Sequence, residues 1–155
     1  VTGYSQPSLQ VHGFDTFTGL PEAWEGHHDK GHFGLGGILP PVEKNVVLHK
    51  GLFSETLPGV LKANRRKRIA GMNIDCDLYQ GAIESLNLTY PMWTPGTILH
   101  FHELQQSTKS KELVFAKQEE VRALFEFLVT HPGTVLEMLP VRNAYAEPVV
   151  FVVVQ

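Results

Sequence analysis

Five polar residues follow closely on short apolar runs: Asp15, Asp75, Asp77, His102 and Glu103. Carboxylates at such places can hold a cation, orient a hydroxyl or take a proton. Histidine can act as a base or bind a softer metal than magnesium. The stretch Met72 to Tyr79, Met-Asn-Ile-Asp-Cys-Asp-Leu-Tyr, concentrates this chemistry, with Asp75 and Asp77 two positions apart. A structural alternative stands beside it: Asp77 caps a following helix and Asp75 is a turn acid. Three polar strand tips in one chain weigh more than any one of them.

Those tips need strands. Apolar runs predict strands at Leu9 to Phe14, Val46 to His49, Ile69 to Ile74 and Thr97 to Phe101. Helices are expected between them. One is short, with Ser54 as N-cap and Leu57, Val60 and Leu61 inside. One follows Asp77, carries Ile83, Leu86 and Tyr90 on one face and stops at Pro91. A longer one, about Lys111 to His131, buries Val114, Val121, Leu124, Phe125 and Leu128 and ends at Pro132-Gly133. Val135 to Leu139 and Val149 to Val154 close the chain. Arg142 to Pro148 is too short for a helical crossover, so that last pair is antiparallel. The expected class is α/β: a mostly parallel, Rossmann-like sheet with helices on both faces and a C-terminal antiparallel hairpin. In open sheets of this kind ligands bind beyond the carboxyl ends of the strands, where the polar tips fall.

Other features narrow the function. The chain has 155 residues, 43% hydrophobic and 19% charged, consistent with one packed domain over 1–155. A formal net charge of -3 argues against a general nucleic-acid or membrane-surface binder. Arg65-Arg66-Lys67-Arg68 is therefore taken as a solvated connection. Cys76 is the only cysteine, which fits a reducing compartment, and a cytoplasmic location is expected. Thr16 to Asn45 is Gly- and Pro-rich without a period, as lids and binding loops are. His27, His28 and His32 lie in it without zinc-like partner spacing. Gly34-Leu35-Gly36-Gly37 follows no strand and precedes Pro40-Pro41, so it is not a phosphate loop.

Several motifs together resemble one family. Gly13 to Glu22, GFDTFTGLPE, is similar to the GFDSFEGLPE segment of macrocin O-methyltransferase-like enzymes, which are class I S-adenosylmethionine-dependent methyltransferases. Asn45 to Pro58 resembles the segment after their third strand, Ile74 to Tyr79 their IDxDLY motif, and Pro95 to Ile98 with its following tip their PGTxIxFDE segment. The resemblance implies O-methylation of a small hydroxylated molecule, such as a sugar. It implies that Asp15, with Thr16 and Phe17 beside it, binds the cofactor ribose, and that Gly51 and Phe53 lie near the adenine. Asp75 is implied as a cofactor contact, a catalytic base, a metal ligand, or a combination of these. The resemblance further implies that His102 and Glu103 complete a site for magnesium or another divalent cation, with His102 as the alternative base. The family has Asp where this chain has His102. Its first strand and Gly-rich loop have no counterpart, so a partial domain is expected. In the family order 3-2-1-4-5-7-6 the missing strand lies mid-sheet, leaving open edges that imply association, as a homodimer. A non-catalytic interaction module on the same fold and a hydrolase using Asp75, His102 and Glu103 are the competing readings.

Overall fold

A computed structural model describes residues 9–102, 104, 119–139 and 149–155. The chain divides into two compact units, Val1–Thr56 and Leu57–Gln155.

In the first unit, β1 (Val11–Asp15) and β2 (Val46–Lys50) form a parallel pair, with Val11 opposite Val46 and Asp15 opposite Lys50. The long segment between them has no period, yet it is ordered by its own backbone. Phe17 carbonyl accepts from Leu35 N–H and Gly37 N–H, and Leu20 and Gly31–His32 exchange two further bonds. Phe17 and Leu20 are buried beneath these turns. Gly19 adopts φ 88°, and a β-carbon there would stand 2.3 Å from the carbonyl oxygens of Gly31 and His32, so only glycine fits.

Helix α1 (Phe53–Ala63) begins in the first unit and ends in the second. Its start differs from the expected Ser54 cap. Ser54 lies within the first turn, and the Glu55 carboxylate reaches back to accept the Leu52 N–H at 3.2 Å. This is the carboxylate half of a capping box.

The second unit holds β3 (Gly71–Ile74), α2 (Tyr79–Thr89), a 3₁₀ turn (Tyr90–Met92), β4 (Ile98–Phe101), α3 (Glu119–Thr130), β5 (Leu136–Leu139) and β6 (Val149–Val153). The sheet order is β3-β4-β6-β5, with β3 and β4 parallel and the other pairs antiparallel. The expected C-terminal hairpin is present. The two sheets have the pairings that 3-2 and 4-5-7-6 require, and no described strand pairs with both.

Alternation along the strands selects one apolar face. Ile74, Leu99, Phe101 and Val153 on that face are buried against Ala82 and Leu86 of α2 and Val121, Ala123, Leu124 and Phe127 of α3. The two helices pack on each other. Phe125, expected inside, is 43% exposed; Phe127 takes the inward position. The expected helical stretch before Glu119, with Val114, lies outside the described residues.

Candidate active site

The parallel β3–β4 register sets Ile74 opposite Phe101, and the His102 N–H continues the ladder to the Ile74 carbonyl at 2.9 Å. The next residue on each strand is then Asp75 and His102. Their side chains meet, His102 Nδ1 to Asp75 Oδ1, at 3.2 Å. The pair is about half-exposed, at 55% and 47% for His102 and Asp75. An ion pair this open contributes little to stability, about 0–1 kcal/mol. A carboxylate that orients an imidazole and balances its charge is also the arrangement of a general base. The structure thus joins two of the residues nominated from sequence. Glu103, the third proposed metal ligand, lies outside the described residues. Among the described residues no group of three His, Cys, Asp or Glu side chains is placed to hold a metal.

The loop after β3 is tightly built. Asp77 adopts φ 61°, a left-handed conformation that Asp tolerates better than most residues. Leu78 N–H bonds the Cys76 carbonyl at 2.6 Å. The N-cap of α2 is Leu78, not Asp77, and its side chain makes no cap bond. The cap comes instead from another helix: Glu119 of α3 accepts the Tyr79 N–H at 3.1 Å. Its neighbour Glu120, fully buried, accepts the Cys76 N–H at 3.0 Å. Further along α3, Glu126 receives the Tyr79 hydroxyl at 2.5 Å and Arg122 Nε at 2.8 Å, and the Arg122 guanidinium lies 4.3 Å over the Tyr79 ring. The hydroxyl's hydrogen bond, ahead of the guanidinium's, holds the Glu126 carboxyl below its ordinary range.

Sequence reasoning missed Glu119, Glu120, Arg122 and Glu126. The acids were visible, but the loop that Glu119 and Glu120 serve is 40 or more positions away.

Burial, then the Glu120 carboxylate 3.7 Å from its sulfur, pushes the Cys76 thiol well above the ordinary range. Cys76 is therefore expected to resist an aromatic disulfide reagent at pH 8, reacting at least about tenfold more slowly than in denaturant, since the thiolate is the reactive form. Equal rates in a stopped absorbance assay would contradict this environment.

In the first unit, Asp15 ends β1 and its carboxylate Oδ1 accepts the N–H of Phe17, which itself has φ 56°. Thr16 Oγ1 bonds the Gly19 carbonyl at 2.8 Å. Gly51 follows β2, its N–H bonded to the Asp15 carbonyl at 3.0 Å. At φ 143° a β-carbon on Gly51 would press on Thr56 and Glu55 at 3.0 and 3.1 Å. Asp15, Thr16, Phe17 and Gly51 are thus gathered at the carboxyl end of one parallel pair, with Phe53 opening α1 just beyond.

No protein-family model matches the chain, and no curated protein matches it. Solved structures do. CalS11, a calicheamicin methyltransferase, aligns with TM-score 0.62 at 23% identity over 92% of this chain and 60% of its own. The O-methyltransferase NovP aligns with TM-score 0.65 at 15% identity over 94% of this chain and 60% of its own. An O-methyltransferase from Bacillus cereus in complex with SAH aligns at 0.50 and 15%, covering 94% and 74%. The chain spans about three-fifths of the length of CalS11 and NovP. Its fold is the α/β fold of these O-methyltransferases.

Among the described residues, no helix is long and apolar enough to cross a membrane.

Proposed function

We propose that the chain is the greater part of an S-adenosylmethionine-dependent O-methyltransferase acting on a small hydroxylated molecule, with a sugar as the first acceptor to test. The observation that carries this is the Asp75–His102 contact at the carboxyl ends of two adjacent parallel strands, on a fold shared with O-methyltransferases. The sugar reading draws on CalS11, described as a TDP-rhamnose 3'-O-methyltransferase.

The cofactor supplies an electrophilic methyl group on sulfur, and its loss leaves S-adenosylhomocysteine. The first unit's residues fit its nucleoside. Asp15 offers a carboxylate at an exposed strand tip, the group that accepts from a ribose diol. Gly51 lies beside it at the end of the paired strand, its N–H bonded to the Asp15 carbonyl. In the second unit, the Asp75–His102 pair takes the acceptor's hydroxyl proton as the new O–CH₃ bond forms. Asp75 and His102 offer two donors to a divalent cation. His102 suits a softer ion than magnesium.

S-adenosylhomocysteine at about 100 times its Kd should stabilise the full-length protein by about 2.7 kcal/mol, raising Tm by roughly 5–11 °C at about 2–4 °C per kcal/mol. Differential scanning fluorimetry reads this directly. An unchanged Tm at saturating ligand would remove the cofactor and favour a non-catalytic role for the fold.

A further inference from the structure

A fully buried carboxylate is costly, because it gives up its hydration and must be repaid by hydrogen bonds. Glu120 is such a group, at 0% exposure. It accepts the backbone N–H of Cys76, the residue between Asp75 and Asp77, and lies against the Cys76 thiol. Glu119 holds the next turn through Tyr79 N–H. Helix α2 has no acid in its own first turn and no side-chain cap of its own, and a carboxylate from α3 meets its positive N-terminal end. Two consecutive carboxylates therefore grip the loop at both ends of the strained Asp77.

Asp75 is the first residue of that loop. The peptide between it and Cys76 is held in place by the bond from the Cys76 N–H to Glu120. We infer that Glu120, assisted by Glu119, is a positioning residue that sets the Asp75 carboxylate against His102. The inference rests on the proposed reaction for its purpose, though not for its geometry. Glu120 acts through the Cys76 peptide. A displacement of about 1 Å at a reacting group can cost about 10²-fold in rate, so a loop held from a neighbouring helix is an effective control point.

The test uses the full-length protein labelled with ¹⁵N-histidine, with the His102 ring signals assigned through His102→Gln. In Glu120→Gln a carboxamide oxygen still accepts the Cys76 N–H. The ring signals should stay in place and kcat should fall by no more than about threefold. In Glu120→Ala the signals should move, and kcat should fall by about 10- to 100-fold with KM for the acceptor within about twofold. Should Glu120→Ala not fold, Glu119→Ala decides, with the same signals moving and a kcat loss of about three- to tenfold. Alanine variants that lower Tm but leave both the His102 signals and kcat unchanged would overturn the inference, reducing the two carboxylates to structural supports. The ring signals need neither cofactor nor acceptor. A protein that transfers no methyl group yet shows the shift keeps the positioning role and loses the reaction. One that transfers methyl groups with the signals unmoved in Glu120→Ala keeps the reaction and loses the role.

Discussion

Asp75→Ala in the full-length protein is expected to lower kcat for methyl transfer by about 10²- to 10⁴-fold, the range a positioned acid–base group contributes. The fold should survive. Asp75 is about half-exposed and its contact is an open pair with His102 at 3.2 Å. Losing such a pair costs about 0–1 kcal/mol, or up to roughly 4 °C in Tm. The contrast between a large kinetic effect and a small thermal one distinguishes a chemical role from a structural one. Asp75→Asn keeps an acceptor for His102 but loses the charge that balances a protonated imidazole, so it should fall between wild type and alanine. His102→Ala should resemble Asp75→Ala, and the double variant should be little worse than either, because groups acting as a unit are not additive. Retained turnover in Asp75→Ala would take the residue out of the reaction.

Much of this arrangement was legible in the sequence, for a physical reason. A strand's apolar alternation and the polar residue that ends it are both local, so the placement of Asp75 after β3 and of His102 after β4 follows from the order of residues. The limits are equally physical. Ile69 and Ala70 look like strand, but their backbone bonds go to Met92 and Ile98 before the β3 ladder begins. The α3 sequence carries apolar residues at Val121, Leu124, Phe125, Phe127 and Leu128, an arc wider than one buried stripe. Periodicity cannot choose its edge; contact with α2 does, turning Phe127 in and Phe125 out. Glu120 was invisible because a charged residue is assigned to the surface unless its partner is known. That partner is 44 positions away. The Gly-rich segment after β1 has no period to read, since backbone turns around Phe17 and Leu20 order it.

The choice of edge on α3 predicts the largest stability effect. The Phe127 ring is fully buried, with Trp93 at 5.3 Å, Tyr90 at 5.4 Å edge-on and His131 stacked at 4.3 Å. Three aromatic neighbours that are themselves held cannot collapse into the space an alanine would leave. Trp93 Nε1 is bonded to the Thr89 hydroxyl at 3.1 Å, and the Tyr90 hydroxyl receives the Thr134 hydroxyl at 3.1 Å. Phe127→Ala is therefore expected to cost about 3–5 kcal/mol, the transfer loss plus an unfilled cavity. Against a typical total of about 5–15 kcal/mol this brings the chain close to unfolding. Phe125→Ala, two positions earlier on the more exposed side, should cost clearly less, no more than about 2 kcal/mol. Urea unfolding of the two variants separates them without reference to any activity. Equal losses, or a larger loss at Phe125, would mean that α3 presents a different face to α2, and the grip of Glu119 and Glu120 on the Asp75 loop would turn away with it.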